Sequence, residues 1–273
     1  MQFMKILLMS VASVFCTAYL AGLAWLWFQQ EKLLFQPAPL PASYVLSSAS
    51  DLREVTVPVP SAQLSVLQLR LPNAKGVVFF LHGNGGNLAD WFIDPDFYRR
   101  ANVDVVMMDY RGYGKSTGSI ASEAQMHADV RAVWQHFAPQ YADKKWMLLG
   151  RSLGTALAAH LHVQLAQQGR APDATVLVSS YQSMVEIATA RYPIVPSKVL
   201  RYPLRTDQWV AQVNAPLWLV HGAADTLIAP SHSQALKALA PHAKLVLIPQ
   251  AGHNDLQDFP VYLQTIQAAM QSL

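Results

Sequence analysis

Cysteine is nearly absent from this chain. The only one among 273 residues is Cys16, so no intrachain disulfide can form and no such bond reports the compartment. Charge is sparse too, at 14% of residues against 52% hydrophobic, with a net charge of only +3. No basic run is present, so nothing points to nucleic acid as a partner. His, Cys and Asp residues do not recur at ligand spacing, which argues against a metal site. Gly83-Asn84-Gly85-Gly86 lacks the lysine and the serine or threonine of a phosphate-binding loop, and its spacing misses G-x-G-x-x-G. No nucleotide, and no cofactor of any kind, is expected. Internal repeats and low-complexity tracts are missing as well. What remains is apolar material sufficient for one large core.

The longest uncharged stretch comes first. Ile6 to Phe28 contains 23 consecutive residues without a charge, about 34 Å as a helix and enough for a hydrocarbon core of ~30 Å. Trp25, Trp27 and Phe28 close it with aromatics of the kind favoured at a membrane interface. A secretory signal would have an apolar region of about 7–15 residues and a small-x-small cleavage site. Ala21, Gly22 and Ala24 offer such a site, but the apolar run continues past them. The reading preferred here is an uncleaved anchor over residues 1–30. Val14 and Phe15 leave no small residue directly before Cys16, so lipidation there is not expected. Lys5 on one side against Glu31 and Lys32 on the other leans toward a cytoplasmic N-terminus and an extracytoplasmic domain.

Residues 31–45, with Gln36-Pro37-Ala38-Pro39-Leu40-Pro41, read as a proline-rich connector to a domain over 46–273. Arg53–Val59 and Leu64–Arg70 alternate apolar and polar residues, as half-buried antiparallel strands do. Six mostly continuous apolar runs follow, at 77–81, 103–108, 146–149, 175–178, 217–220 and 245–248. Such runs suit strands buried on both faces. Helical stretches lie between them, including 122–137, 154–168 and 232–240, and an amphipathic helix carrying Tyr262, Leu263, Ile266 and Met270 ends the chain. The alternation predicts one α/β domain with a mainly parallel sheet and an antiparallel start. The long gap from Ser179 to Asn214 predicts a crossover helix plus a small cap, about residues 181–212.

Chemistry concentrates at Gly150-Arg151-Ser152-Leu153-Gly154, a G-x-S-x-G placed between a short apolar strand and an alanine-rich helix. This is the context of a nucleophile elbow, whose serine sits in a strained turn so that its Oγ stands clear of the sheet. Gly150 and Gly154 lack the Cβ atoms that would clash as the helix folds back over the strand. A serine hydroxyl needs a histidine base, itself oriented by a carboxylate. In chain order, Asp225 follows the strand at 217–220 and His253 follows the next strand, so both emerge on the edge that carries Ser152. Asp255 is the rival acid, but it lies beside Asn254 where the two would cap the final helix. His82 and His221 each precede a glycine at a strand end and are expected to shape those loops. His127, His136, His160, His162, His232 and His242 have no evident partner and are expected to be solvated or packed. The oxyanion hole needs two N–H donors: Leu153, directly after the serine, and Asn84 from the loop after the first parallel strand.

With these residues in place, the chain from about Leu33 to Leu273 resembles the serine α/β-hydrolases. It is most similar to the membrane-anchored α/β-hydrolase-domain proteins of the bud-emergence type and their bacterial relatives. The resemblance is carried by Glu31–Pro37, His82–Asn87, Asp109–Gly118, the elbow, His221–Asp225 and Gly252–Asp255. It implies an eight-stranded sheet, a Ser152/His253/Asp225 triad and cofactor-free hydrolysis of an ester or thioester. Ala223-Ala224 departs from related loops, which more often carry glutamate or lysine beside the acid; this touches the loop surface only.

The expected activity is therefore that of a membrane-anchored serine hydrolase acting on a small-molecule or lipid acyl ester. Alternatives are an acyl-protein or acyl-lipid thioesterase or lipase with Tyr192, Ile194 and Val195 lining an acyl channel, a peptidase, or a catalytically silent membrane-tethered binding module. Arg191, Arg201 and Arg205 are candidates for an anionic group. Asp109 and Arg111 are expected to brace neighbouring loops.

Overall fold

A computed structural model describes residues 1–273. Helix α1 (Gln2–Leu34) is followed by the two-residue strand β1 (Gln36–Pro37) and the pair β2 (Leu52–Val59) and β3 (Ala62–Leu69). Strand β4 (Gly76–Leu81) leads through β5 (Gly85–Gly86) into the short helices α2 (Leu88–Trp91) and α3 (Pro95–Ala101). Next come β6 (Asp104–Met108), α4 (Glu123–Phe137), β7 (Lys145–Arg151), α5 (Leu153–Gln167) and β8 (Ala174–Val178). Helices α6 (Met184–Arg191) and α7 (Thr206–Val210) precede β9 (Leu217–Gly222), α8 (Ser231–Leu239), β10 (Lys244–Ile248) and α9 (Pro260–Gln271).

Eight strands form one sheet in the order β10-β9-β8-β7-β4-β6-β3-β2. The junctions from β10 to β6 are parallel, and β3 pairs antiparallel with both β6 and β2. This is the mainly parallel sheet with an antiparallel start that the apolar runs predict. Because side chains alternate along a strand, each run feeds two cores. Val77, Phe79, Leu81, Leu148, Leu177 and Leu219 pack on one face with α4, α5 and α8. Val78, Phe80, Met147, Leu149, Val176 and Val220 pack on the other with α3 and α9. On α9, Tyr262, Ile266 and Met270 are buried as expected, whereas Leu263 is partly exposed.

The turn after β6 depends on close approach. Asp109 accepts the Leu88 N–H at 3.0 Å, and a Cβ at Gly114, where φ is +50°, would collide with the Asp109 carboxylate. Arg111 forms a bidentate pair with Asp129 at 2.6 and 2.9 Å and donates to the Pro60 carbonyl. The bracing role expected of Asp109 and Arg111 is what the structure has.

The helix at the N-terminus runs to Leu34, past the uncharged stretch, and no residue of its most apolar window is buried. It is long and apolar enough to cross a membrane. The proline-rich segment beyond it is pinned to the domain. Gln36 and Pro37 pair with Gly85 and Gly86, Leu40 N–H bonds the Gly114 carbonyl at 2.7 Å, and Phe35 is buried edge-on against Tyr202 at 5.1 Å. Proline is tolerated here because β1 pairs on one side only.

Several histidines expected to lack partners have them. His127 meets Glu123 at 3.3 Å and stacks on His160 with ring centres 3.6 Å apart, while His162 bonds Thr175 at 2.9 Å. His232 Nδ1 lies 3.4 Å from the Gln182 amide. Burial pushes His160 down to about 3 and His162 down to about 4, so both are neutral packing groups at pH 7. The expectation missed these pairs because the partners lie on other turns or other strands.

Two stability measurements follow. Asp129→Ala leaves the Arg111 guanidinium buried without its carboxylate and should destabilise the domain by about 3–5 kcal/mol, read as a lower denaturant midpoint. A chain starting at residue 43 loses Phe35, whose burial contributes about 1.5–3 kcal/mol, together with the β1 hydrogen bonds. It should melt at least ~3 °C below a chain starting at residue 31.

Candidate active site

Ser152 follows the last residue of β7 and precedes the first of α5, with φ +51° and ψ −117°. That conformation is costly for a residue with a side chain, and the surroundings hold it. A Cβ on Gly150 would lie 2.5 Å from the Gly154 carbonyl oxygen, and one on Gly154 only 2.0 Å from that of Leu81. The two glycines let α5 cross directly over β7 and β4.

The loops after β9 and β10 bring the other two residues to the serine. His253 Nε2 lies 3.1 Å from Ser152 Oγ, and its Nδ1 lies 2.7 Å from Asp225 Oδ2. The second carboxylate oxygen accepts the N–H groups of Leu227 at 2.9 Å and Ile228 at 2.8 Å. Burial pushes the Asp225 carboxyl up, but hydrogen bonds from His221, His253 and the Ile228 N–H outweigh it and hold the group well below the usual carboxylate range. A permanently ionised carboxylate facing Nδ1 assigns the proton of neutral His253 to Nδ1, which leaves Nε2 free to accept from the serine.

His221 shapes this loop, as its position before a glycine suggests. Its Nε2 reaches the Ile228 carbonyl at 2.9 Å and lies 3.3 Å from Asp225, while its Nδ1 meets Ser233 at 2.6 Å. Asp255 does not cap the final helix. That helix starts at Pro260 with no side-chain cap, and Asp255 Oδ1 instead accepts the Gly252 N–H at 2.7 Å, clamping the His253 loop. Arg151, the variable residue of the elbow, is a contributor that the sequence reading missed. Its guanidinium donates to the His253 carbonyl and to Gln257, and lies over the Trp91 ring at 5.3 Å.

Leu153 follows the serine directly, and Asn84 lines the same cleft as the serine. As the first residue of α5, Leu153 has an N–H without an intrahelical acceptor. The loop after β4 passes beside Ser152, since a Cβ on Gly83 would lie 3.5 Å from the serine Cβ. Asn84 is held from outside the loop. Its amide donates to the Leu34 carbonyl at the end of α1, and the Tyr113 hydroxyl donates to its carbonyl at 2.8 Å. The same hydroxyl accepts the Gln36 N–H at 3.2 Å. Burial raises the Tyr113 phenol, so it remains a donor at any physiological pH. Tyr110 similarly bonds the His82 carbonyl at 2.8 Å.

A cleft of roughly 820 Å³ opens over Ser152 and His253. Its apolar wall is built by Trp91, Phe92, Ile93, Phe97, Leu227 and Leu263. Tyr192, Ile194 and Val195 take no part in it, contrary to the expected acyl channel; the cap they belong to turns toward α1 instead. Arg201 is occupied by Glu31 at 2.7 Å and Arg205 by Asp207 at 2.6 Å, so neither is a free anion contact.

Known proteins resemble this chain. Residues 72–202 match the serine aminopeptidase family S33. An uncharacterised Mycobacterium tuberculosis protein is 30% identical over 90% of this chain and 88% of its own length. The mouse alpha/beta hydrolase domain-containing protein 17C is 28% identical over 72% of this chain and 60% of its length. Among solved structures, a Pyrococcus furiosus esterase superposes with a TM-score of 0.68 at 18% identity, over 87% of this chain and 97% of that one. With its eight-stranded sheet and its strand–serine–helix turn, the chain belongs to the α/β-hydrolase superfamily.

Proposed function

We propose that this hydrolase is a membrane-anchored serine esterase that cleaves carboxylic esters or thioesters through an acyl-enzyme on Ser152. The observation that carries the reading is the continuous line Ser152 Oγ–His253 Nε2–His253 Nδ1–Asp225, with the serine facing a cleft that has one apolar wall. Ser152 Oγ attacks the substrate carbonyl while His253 Nε2 takes its proton, forming the C–O bond and placing negative charge on the carbonyl oxygen. The N–H groups of Leu153 and Asn84 receive that oxyanion. Collapse expels the alcohol or thiol, which takes the proton back from His253. A water molecule, deprotonated by the same nitrogen, then releases the acid and restores the serine. Asp225 holds the imidazole orientation and offsets its charge while it is protonated.

Helix α1 serves in this reading as the anchor, with Lys5 on the cytoplasmic side and the hydrolase domain outside. Replacing Ser152 by alanine should lower turnover of p-nitrophenyl butyrate by about 10⁴-fold or more with the melting temperature essentially unchanged. Undiminished turnover in that variant would overturn the acyl-enzyme on Ser152, and failure of a fluorophosphonate to label Ser152 in the folded wild type would favour a silent binding module.

A second reading, favoured by the aromatic and aliphatic cleft wall, is a thioesterase for fatty acyl groups. Each methylene buried in such a wall is worth up to about 0.8 kcal/mol, so kcat/KM should rise by up to about fourfold per added carbon from C4 to C10. A sharp optimum at two to four carbons would argue for small esters.

A further inference from the structure

The cap and the N-terminal helix meet at a depth that neither one's composition announces. Between Lys5 and Glu31, α1 carries 25 uncharged residues, and Tyr19 lies near the middle of them. The Tyr19 hydroxyl donates to the Ile194 carbonyl at 2.6 Å. Near the charged end of the helix the same cap is tied again. Gln30 bonds the Val199 carbonyl at 2.7 Å and the Arg201 N–H at 2.8 Å, and Glu31 accepts from Tyr202 at 2.6 Å. From Arg201 to Ile194 the cap therefore runs alongside the helix from its polar end to its apolar middle. Twelve helical positions separate Glu31 from Tyr19, about 18 Å. The seven steps from Ile194 to Arg201 include the 3₁₀ turn Ser197–Val199, at about 2 Å rise per residue, and still reach about 19 Å, so the span is covered.

The segment that makes this excursion is Tyr192-Pro193-Ile194-Val195-Pro196, with no charge between Arg191 and Lys198. Its large side chains turn outward: Ile194 is 75% exposed and Tyr192 60% exposed. On other faces of α1, Trp25 and Phe28 are exposed as well. Backbone in hydrocarbon is costly unless its polar groups are satisfied or missing. Here Pro193 and Pro196 have no N–H, Tyr192 N–H bonds Ala188, Val195 N–H bonds Tyr192 and the Ile194 carbonyl is taken by Tyr19, so among the N–H groups of the turn only that of Ile194 has no partner.

We infer that Tyr192–Pro196 is a second membrane contact, a cap turn that enters the lipid beside α1 at the level of Tyr19. The inference rests on α1 being a membrane span. A single helix leaves the domain free to swing about its end. Two contacts fix the orientation of the sheet edge from which the cap and the Ser152 loop both emerge.

The test uses the full chain with Cys16→Ser, reconstituted in phosphatidylcholine vesicles whose acyl chains carry bromine. Single cysteines bearing an environment-sensitive fluorophore are placed by Ile194→Cys, by Val14→Cys within α1, and by Asp143→Cys at the opposite edge of the sheet. All three positions are exposed, so folding is not at issue. The fluorophores at 194 and 14 should each lose at least half their emission to the brominated chains, and that at 143 should not. Loss at 14 without loss at 194 would overturn the cap contact and leave the anchor standing. No loss at 14 would remove the anchor, and the inference with it.

Discussion

The structure depends on one steric constraint: α5 must leave β7 through a single residue and lie hard against β4. Gly154 touches the Leu81 carbonyl and Gly150 touches the Gly154 carbonyl, at separations that no Cβ could share. Within that packing Ser152 has no alternative to its left-handed backbone, and the strain is held by the cores on either face of the sheet. The helix N-terminus is thereby delivered beside the serine, with the Leu153 N–H unclaimed by its own helix.

Around this turn the partners are fixed by a second layer of hydrogen bonds. Asp225 is satisfied by two backbone N–H groups and faces two imidazoles, His253 toward the serine and His221 toward the loop it stabilises. Arg151 and Asp255 hold the His253 loop from its two sides. On the far side of the serine, the Asn84 loop is supported by the end of α1, by β1 and by Tyr113. The segment between α1 and the domain is therefore part of the wall of the site, and the end of α1 and the Asn84 loop are mechanically one unit.

Much of this was legible beforehand. Apolar runs of four to six residues mark strands buried on two faces, and the order serine, aspartate, histidine places three loops on one edge of a parallel sheet whatever the details between them. The elbow glycines could be assigned their roles because the clash they avoid is local. The expectations for Asp255, the partnerless histidines and the cap were the ones that changed. Asp255 had two possible N–H targets, and its place beside Asn254 pointed to the final helix, whereas the fold of the loop gives it Gly252. Tyr192 and Ile194 read as channel lining because they are apolar, yet apolarity suits a cleft and a lipid-facing surface equally.

The sequence by itself determined the sheet, the elbow and the edge on which Ser152, Asp225 and His253 meet, since each follows from periodicity, chain order and the absence of Cβ atoms. The tertiary structure alone decided which groups support the Asn84 loop, which helices wall the cleft and where the cap lies. Those contacts join Leu34 to Asn84, Gln36 to Tyr113, Arg151 to His253 and Tyr19 to Ile194, separations of 50, 77, 102 and 175 residues. A hydrogen bond between distant residues leaves no periodic trace along the chain. It exists only once packing has brought donor and acceptor within reach.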